Sequence, residues 1–170
     1  SDVYKRQEID TPMLRSILPI GTILKDVWWE SFGDRIRKPK HVMNSKYRDE
    51  SCHGSPGVTF GRQVGAYPIL VGVQYQIPLE TKSNVMITGH GSRSVTAVEV
   101  GLDPARVTEN QLASIPGIGR KNAWALISAR AKATSKGNPI HTHQEMFEAA
   151  DIAPPAMALD VFEYHSTGSQ

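Results

Sequence analysis

The chain has 170 residues, 39% hydrophobic and 21% charged, with a net charge of +2. That is the size and composition of one ordinary globular domain or two small ones. No apolar run approaches the roughly 20 residues of a membrane-spanning helix, no secretory signal is expected from the polar first residues, and the single cysteine, Cys52, excludes an internal disulfide and any multi-cysteine metal site; a cytoplasmic location is expected.

The first residues, Asp2–Gln7 (DVYKRQ), resemble a translated sequencing-library adaptor of the kind found at contig ends in metagenomic data. Residues 1–7 are therefore expected to be a non-native tail, with the natural protein continuing upstream. Asp10–Leu18 predicts a short helix: Asp10 and Thr11 can accept from orphan N–H groups, and Pro12 suits a first turn. Pro19 and Gly21 end it. Thr22–Glu30 (TILKDVWWE) is β-branched and aromatic and predicts a strand. Residues 31–57 read as a long basic loop carrying Arg35, Arg37, Lys38, Lys40, Lys46 and Arg48. A loop of that length in a compact domain is usually functional or disordered. Partial disorder or an insertion is expected, with nucleic-acid contact as the second reading.

Four short β-branched runs follow, at Val58–Gln63, Tyr67–Val73, Asn84–Gly91 and Arg93–Val100. Glycines punctuate them, as strands need where they coil sharply, so a small closed or nearly closed barrel is expected over residues 8–103. The remainder, residues 104–170, reads as helical, giving an α+β chain. Thr108 with Gln111, and Thr142 with Glu145, have the spacing of capping boxes. They open helices running to about Ala113 and over Gln144–Ala150. Arg120–Lys132 and Ala156–Tyr164 are two further helices. Charge divides this region. From Pro104 to Lys136 six basic residues face one acid, a net of +5, whereas the rest carries five acids and no Lys or Arg, a net of −5. A polar partner on the basic side is implied.

The informative stretch is Leu112–Ile127 (LASIPGIGRKNAWALI). Leu112 and Ile115 on one helix, and Ala123, Leu126 and Ile127 on the next, have core spacing. Pro116 stops the first helix. Gly117 and Gly119 can take backbone angles closed to other residues, and Ile118 plugs between the helices. The N-terminus of the second helix then offers unpaired N–H groups and the positive end of its dipole, with Arg120 and Lys121 adding charge. A phosphate is the expected ligand. The segment closely resembles the helix-hairpin-helix family, hydrophobic-x-x-hydrophobic-Pro-Gly-Ile-Gly-x-x-x-Ala, whose contacts grip nucleic-acid backbone without reading sequence. The resemblance implies Gly117, Ile118, Gly119, Arg120, Lys121 and Asn122 as the nucleic-acid-binding residues. Thr142–Tyr164 is expected to be a degenerate second copy, without the Gly-x-Gly turn and acidic.

No catalytic or metal-binding residue is expected. PGIGRKNA resembles the hairpin of base-excision DNA glycosylases, where a lysine at the position of Lys121 is a nucleophile, but His141 stands where their aspartate would, so Lys121 is read as a phosphate contact. His41, Cys52, His53 and His90 fit no zinc spacing. His141 and His143 are read as loop or cap residues. Trp28, Trp29 and Trp124 could stack on bases, but on strands and a helix they are read as core.

Taken together, IDTPMLRSILPIGTILKDV, TFGRQVGAYPILVGV, GHGSRSVTAVE, LDPARV and IPGIGRKNA resemble the C-terminal region of a mainly archaeal family of radical SAM proteins that ends in a helix-hairpin-helix. Within it, Val58–Val100 resembles a TRAM or OB-type RNA-binding barrel. The resemblance implies a [4Fe–4S] cluster and S-adenosylmethionine in an upstream part of the parent, held by Cys-x3-Cys-x2-Cys. It implies none in this chain. The implied partner is the phosphate backbone of DNA or RNA. The rival readings are a stand-alone DNA- or RNA-binding module and a protein-docking domain.

Overall fold

A computed structural model describes residues 11–33, 50–65 and 69–165. The tail 1–7, Asp10, His41 and the basic residues between Arg35 and Arg48 lie outside them. The elements in chain order are α1 (Thr11–Ile17), β1 (Ile23–Phe32), a single 3-10 turn (Glu50–Cys52), β2 (Pro56–Gln63), β3 (Leu70–Tyr75), β4 (Lys82–His90), β5 (Ser94–Glu99), α2 (Glu109–Ala113), α3 (Gly119–Ser135), α4 (His143–Ala150) and α5 (Ala156–Glu163). The chain is α+β, as its sequence implies.

The five strands close into a barrel in the order β1-β2-β3-β5-β4. All neighbours are antiparallel except β3 and β5, which run parallel with Leu70 opposite Ser94 and Val73 opposite Ala97. β3 has the alternation of a half-buried strand: Val71, Val73 and Tyr75 are fully buried while Gln74 is exposed. β1 breaks that period. Its buried residues are Leu24, Val27, Trp29 and Phe32, spaced three, two and three apart. The register slips between Leu24 and Val27 against β4, and between Trp29 and Ser31 against β2. Asp26 sits in the first slip with φ +57, and its N–H donates to Asn84 Oδ1 at 2.9 Å. Such bulges add the local twist that a small closed barrel requires.

Loop 31–57 is shorter in structure than in the sequence reading. Ser31 and Phe32 complete β1, Pro56 and Gly57 begin β2, and Glu50–Cys52 form a 3-10 turn. Residues 53–55 pin that turn to the barrel: Gly54 N–H donates to Gln76 O, and Gln76 N–H donates to Ser55 O. Thr59, fully buried, joins β2 to the end of β3 by donating to Tyr75 O (2.8 Å) and accepting from Ile77 N–H (3.0 Å).

The barrel and the helices share one contiguous buried cluster, running from Leu24 and Trp29 through Val107, Leu112, Leu126 and Met146 to Phe162. Polar bonds reinforce the junction. Gly101 N–H donates to Val161 O at 2.7 Å. Arg130, half-buried on α3, donates to Pro104 O (3.0 Å) and Val107 O (2.6 Å), fixing α3 to the segment that leaves the barrel. No helix among the described residues is long and apolar enough to cross a membrane.

Candidate functional site

Two capping boxes set the helical region. Thr108 Oγ1 accepts from Gln111 N–H while Gln111 Oε1 accepts from Thr108 N–H (2.9 Å). Thr142 and Glu145 repeat the exchange at α4. The Glu145 carboxyl, bonded by the His141 and Thr142 N–H groups and the Thr142 hydroxyl, is held below its usual pKa range. Thr108 also reaches back to the barrel. Its hydroxyl and the Asn110 amide both donate to Gly54 O, at 2.8 and 3.1 Å. The start of α2 is thereby fixed on the chain that enters β2.

Between α2 and α3 the chain reverses over Ser114–Ile118. Ile118 N–H donates to Ile115 O at 3.2 Å. Pro116 follows Ile115, and Gly117 has φ +93, the signature of a type II turn. Gly117 is required twice: by that angle, and because a Cβ there would lie 2.9 Å from Pro155 Cβ, on the segment before α5. Gly119 has φ +74, but a Cβ there would meet nothing within 4 Å. Since Gly119 is left-handed, right-handed helical conformation begins at Arg120, one residue inside the assigned bounds. Ile118 is 95% buried, so it contributes backbone to this surface and its side chain to the core.

α3 starts unlike α2 and α4. It has no side-chain cap and no acid in its first turn, where the other two carry Glu109 and Glu145. Its first-turn N–H groups have no acceptor within the helix. Arg120 and Lys121 add positive charge at the positive end of the dipole, an arrangement that opposes helix stability by about 0.3–1 kcal/mol per charge. An anion seated there reverses the sign of that term.

The predicted site residues part company in their side chains. Arg120 Nη1 turns back to Asn110 Oδ1 (2.8 Å) and the Glu109 carboxylate (3.5 Å), so it ties α3 to α2. Asn122 is half-buried. Lys121 is exposed, and no carboxylate among the described residues lies within 4 Å of it. Arg130 belongs to the barrel junction, so it leaves the solvent-facing charge of the basic block. Lys132 and Lys136 remain exposed.

Two readings of single residues need correction. Trp124, expected in the core, is 62% exposed, whereas Trp29 is fully buried. On α3, Trp124 faces away from the buried Ala123 and Leu126. His143, expected in a loop or cap, begins α4 and is 92% buried. Its ring stacks on Phe162 at 5.7 Å, and its Nε2 meets the Glu163 carboxylate at 3.1 Å.

His53 and His90 are engaged separately. His53 Nε2 donates to the buried Glu99 carboxylate at 2.6 Å, and His90 Nε2 donates to Leu18 O at 2.6 Å. No three His, Cys, Asp or Glu side chains among the described residues gather as a metal site. An iron–sulfur cluster with three thiolates does not fit this chain, which has only Cys52. A cleft of about 820 Å³ lies between the barrel and the segment leading to α2. His53, Glu99, Arg106 and Arg130 line it, and none of residues 117–119 does. Glu99 N–H donates to the Tyr75 hydroxyl there at 2.9 Å. Burial, followed by the Glu99 charge, pushes the Tyr75 phenol well above its usual range. His53, Glu99 and Tyr75 are thus joined by hydrogen bonds, as the interior of a junction requires.

The chain is similar to an uncharacterized protein of Archaeoglobus fulgidus, 33% identical over 117 residues, which are 68% of this chain and 18% of that protein. An uncharacterized protein of Methanocaldococcus jannaschii is 34% identical over 92 residues, 54% of this chain and 13% of that protein. The chain thus spans less than a fifth of the curated relatives it matches. No protein-family model matches it, and neither does any solved structure.

Proposed function

We propose that this chain is a nucleic-acid-holding region, an OB- or TRAM-like barrel followed by a helix-hairpin-helix, which grips the phosphate backbone of DNA or RNA without reading sequence. The observation that carries the reading is the start of α3. It has no side-chain cap, a left-handed Gly119 whose Cβ position is open, and Lys121, with no carboxylate among the described residues within 4 Å of it. The barrel supports it. Its order β1-β2-β3-β5-β4 with β3 parallel to β5 is that of an OB-type Greek-key barrel. Phosphate contacts of this kind release counterions, so binding falls steeply with salt.

The parent in this proposal is a radical SAM enzyme whose iron–sulfur cluster and S-adenosylmethionine lie in an upstream part. The five quoted sequence blocks support that parentage, and a much greater length in the relatives is in keeping with it. The single cysteine and the absence of a membrane-length helix among the described residues are in keeping with a cytoplasmic setting. Finding no cysteine triad in the upstream reading frame would remove the parentage and leave the binding reading as it stands.

The binding test is fluorescence anisotropy with labelled duplex DNA, single-stranded DNA and tRNA at several salt concentrations, using the native sequence and Gly119→Ala. We expect salt-dependent binding that Gly119→Ala weakens at least tenfold, with the thermal transition largely kept. Binding by both proteins with equal affinity contradicts the proposal.

A further inference from the structure

We infer that the exposed face of α3 is a track for a single nucleic-acid strand, with the Trp124 indole stacking on an unpaired base next to the phosphate held at Gly119–Lys121. The inference deepens the binding reading above and rests on it. It begins from an anomaly of burial. Tryptophan is among the most buried residues on average, and an exposed one forgoes a large apolar contact. Here Trp29 is fully buried in the barrel, yet Trp124 is 62% exposed in the middle of a well-packed helix.

A lone exposed aromatic means little by itself. The surroundings of this one carry the argument. Lys121, Trp124, Ser128 and Lys132 are spaced three, four and four residues apart, so they form one stripe along the helix. The stripe is about 16 Å long at 1.5 Å per residue. The opposite face, with Ala123 and Leu126, is fully buried and holds α3 to the core. No Asp or Glu occurs from Asn110 to Gln144. Arg120, on the turn before Trp124, is drawn toward Glu109 and Asn110.

A cationic stripe interrupted by one flat aromatic matches a polyanion that also offers π-faces. A nucleic-acid strand has both, with phosphates for the lysines and a base for the indole. Bases inside a duplex are already stacked on one another, so an indole on a helix surface reaches only an unpaired or splayed base. The stripe therefore selects a single strand or a loop over a duplex, a choice that phosphate contacts at the turn cannot make alone.

The test uses the full chain and oligonucleotides carrying 2-aminopurine, in single-stranded DNA, single-stranded RNA and fully paired duplex forms. Stacking on an indole quenches the probe. We expect the native chain to quench both single strands and to bind them more tightly than the duplex. Trp124→Ala should weaken single-strand binding by roughly 5- to 150-fold and abolish the quenching, with duplex affinity unchanged within twofold. Trp124→Phe should restore most of the binding. If Trp124→Ala leaves single-strand affinity and quenching intact while Gly119→Ala abolishes binding, the stacking inference is overturned and the turn reading stands. If the native chain binds no oligonucleotide at all, the binding reading itself has failed.

Discussion

The two helical pairs, α2–α3 and α4–α5, have opposite surface chemistry. α2 and α3 meet through a type II turn with two left-handed glycines, and α3 begins uncapped, followed by Arg120 and Lys121. α4 and α5 meet through Asp151–Pro155. Asp151 takes a left-handed φ of +55, and Pro155 precedes α5. Acids at Glu145, Glu148, Asp151, Asp160 and Glu163 cover that half. The second pair supports the first, because Pro155 abuts Gly117, and the His143 and Phe147 rings pack on Phe162. In each pair the first helix, α2 or α4, starts in a capping box, and the second, α3 or α5, starts without a side-chain cap. What sets α3 apart from α5 is the combination of an uncapped start with Arg120 and Lys121 in its first turn, since no Lys or Arg follows Lys136.

That contrast can be broken most strongly at Gly119. An alanine there adds a methyl group where the structure has open space, and strains a left-handed residue by about 1 kcal/mol. Backbone binding should fall at least tenfold in an anisotropy titration, with the fold retained by circular dichroism. Gly117→Ala is a poorer probe, since its Cβ would strike Pro155 and unsettle α5 as well. A satisfied site in the junction gives the largest stability effect. Tyr75→Phe leaves the buried Glu99 N–H without its acceptor and should cost about 1–3 kcal/mol in denaturant unfolding, with nucleic-acid affinity unchanged.

Charge sharpens the comparison further. Lys121→Ala should lower the slope of log K against log salt by about 0.7–0.9, the value of one phosphate contact. Arg120→Ala should change it less, because that guanidinium is spent on Glu109 and Asn110. Equal slope losses would place Arg120 on the ligand. On the capped side, Thr142→Ala should cost about 1 kcal/mol of stability and leave binding alone.

The smallest effect is in pH. Glu145 is held below its ordinary pKa, so its capping contribution is present above the unfolded-state value and is lost as pH falls through the lower folded one. A carboxyl-carbon NMR titration should place its midpoint below that of an exposed glutamate.

Much of this was legible in the sequence because the signals are local. Thr108–Gln111 and Thr142–Glu145 depend on three-residue spacing, and both form as expected. Leu112, Ile115, Ala123 and Leu126 follow helical periodicity into full burial. The β-branched runs and glycines imply a closed or nearly closed barrel, which the five strands form, but they do not give its strand order. The bulges that shift β1 from a two-residue period, and the parallel pairing of β3 with β5, depend on partners dozens of residues away. For Trp124, residue type argues for the core, but helix geometry turns it away from the buried Ala123 and Leu126. The overlooked signal was the Lys121, Ser128 and Lys132 spacing on either side of it. His143 was misread because its partners, Phe162 and Glu163, come from another helix.

The central claim is that the start of α3 receives the phosphate through backbone N–H groups. Amide-resolved NMR during titration with a short oligonucleotide tests it most directly. The Gly117, Gly119, Arg120 and Lys121 amide signals should move first and furthest, and return as salt is raised. Shifts confined to the barrel, or to the α4–α5 half, with those four amides unmoved, would contradict it.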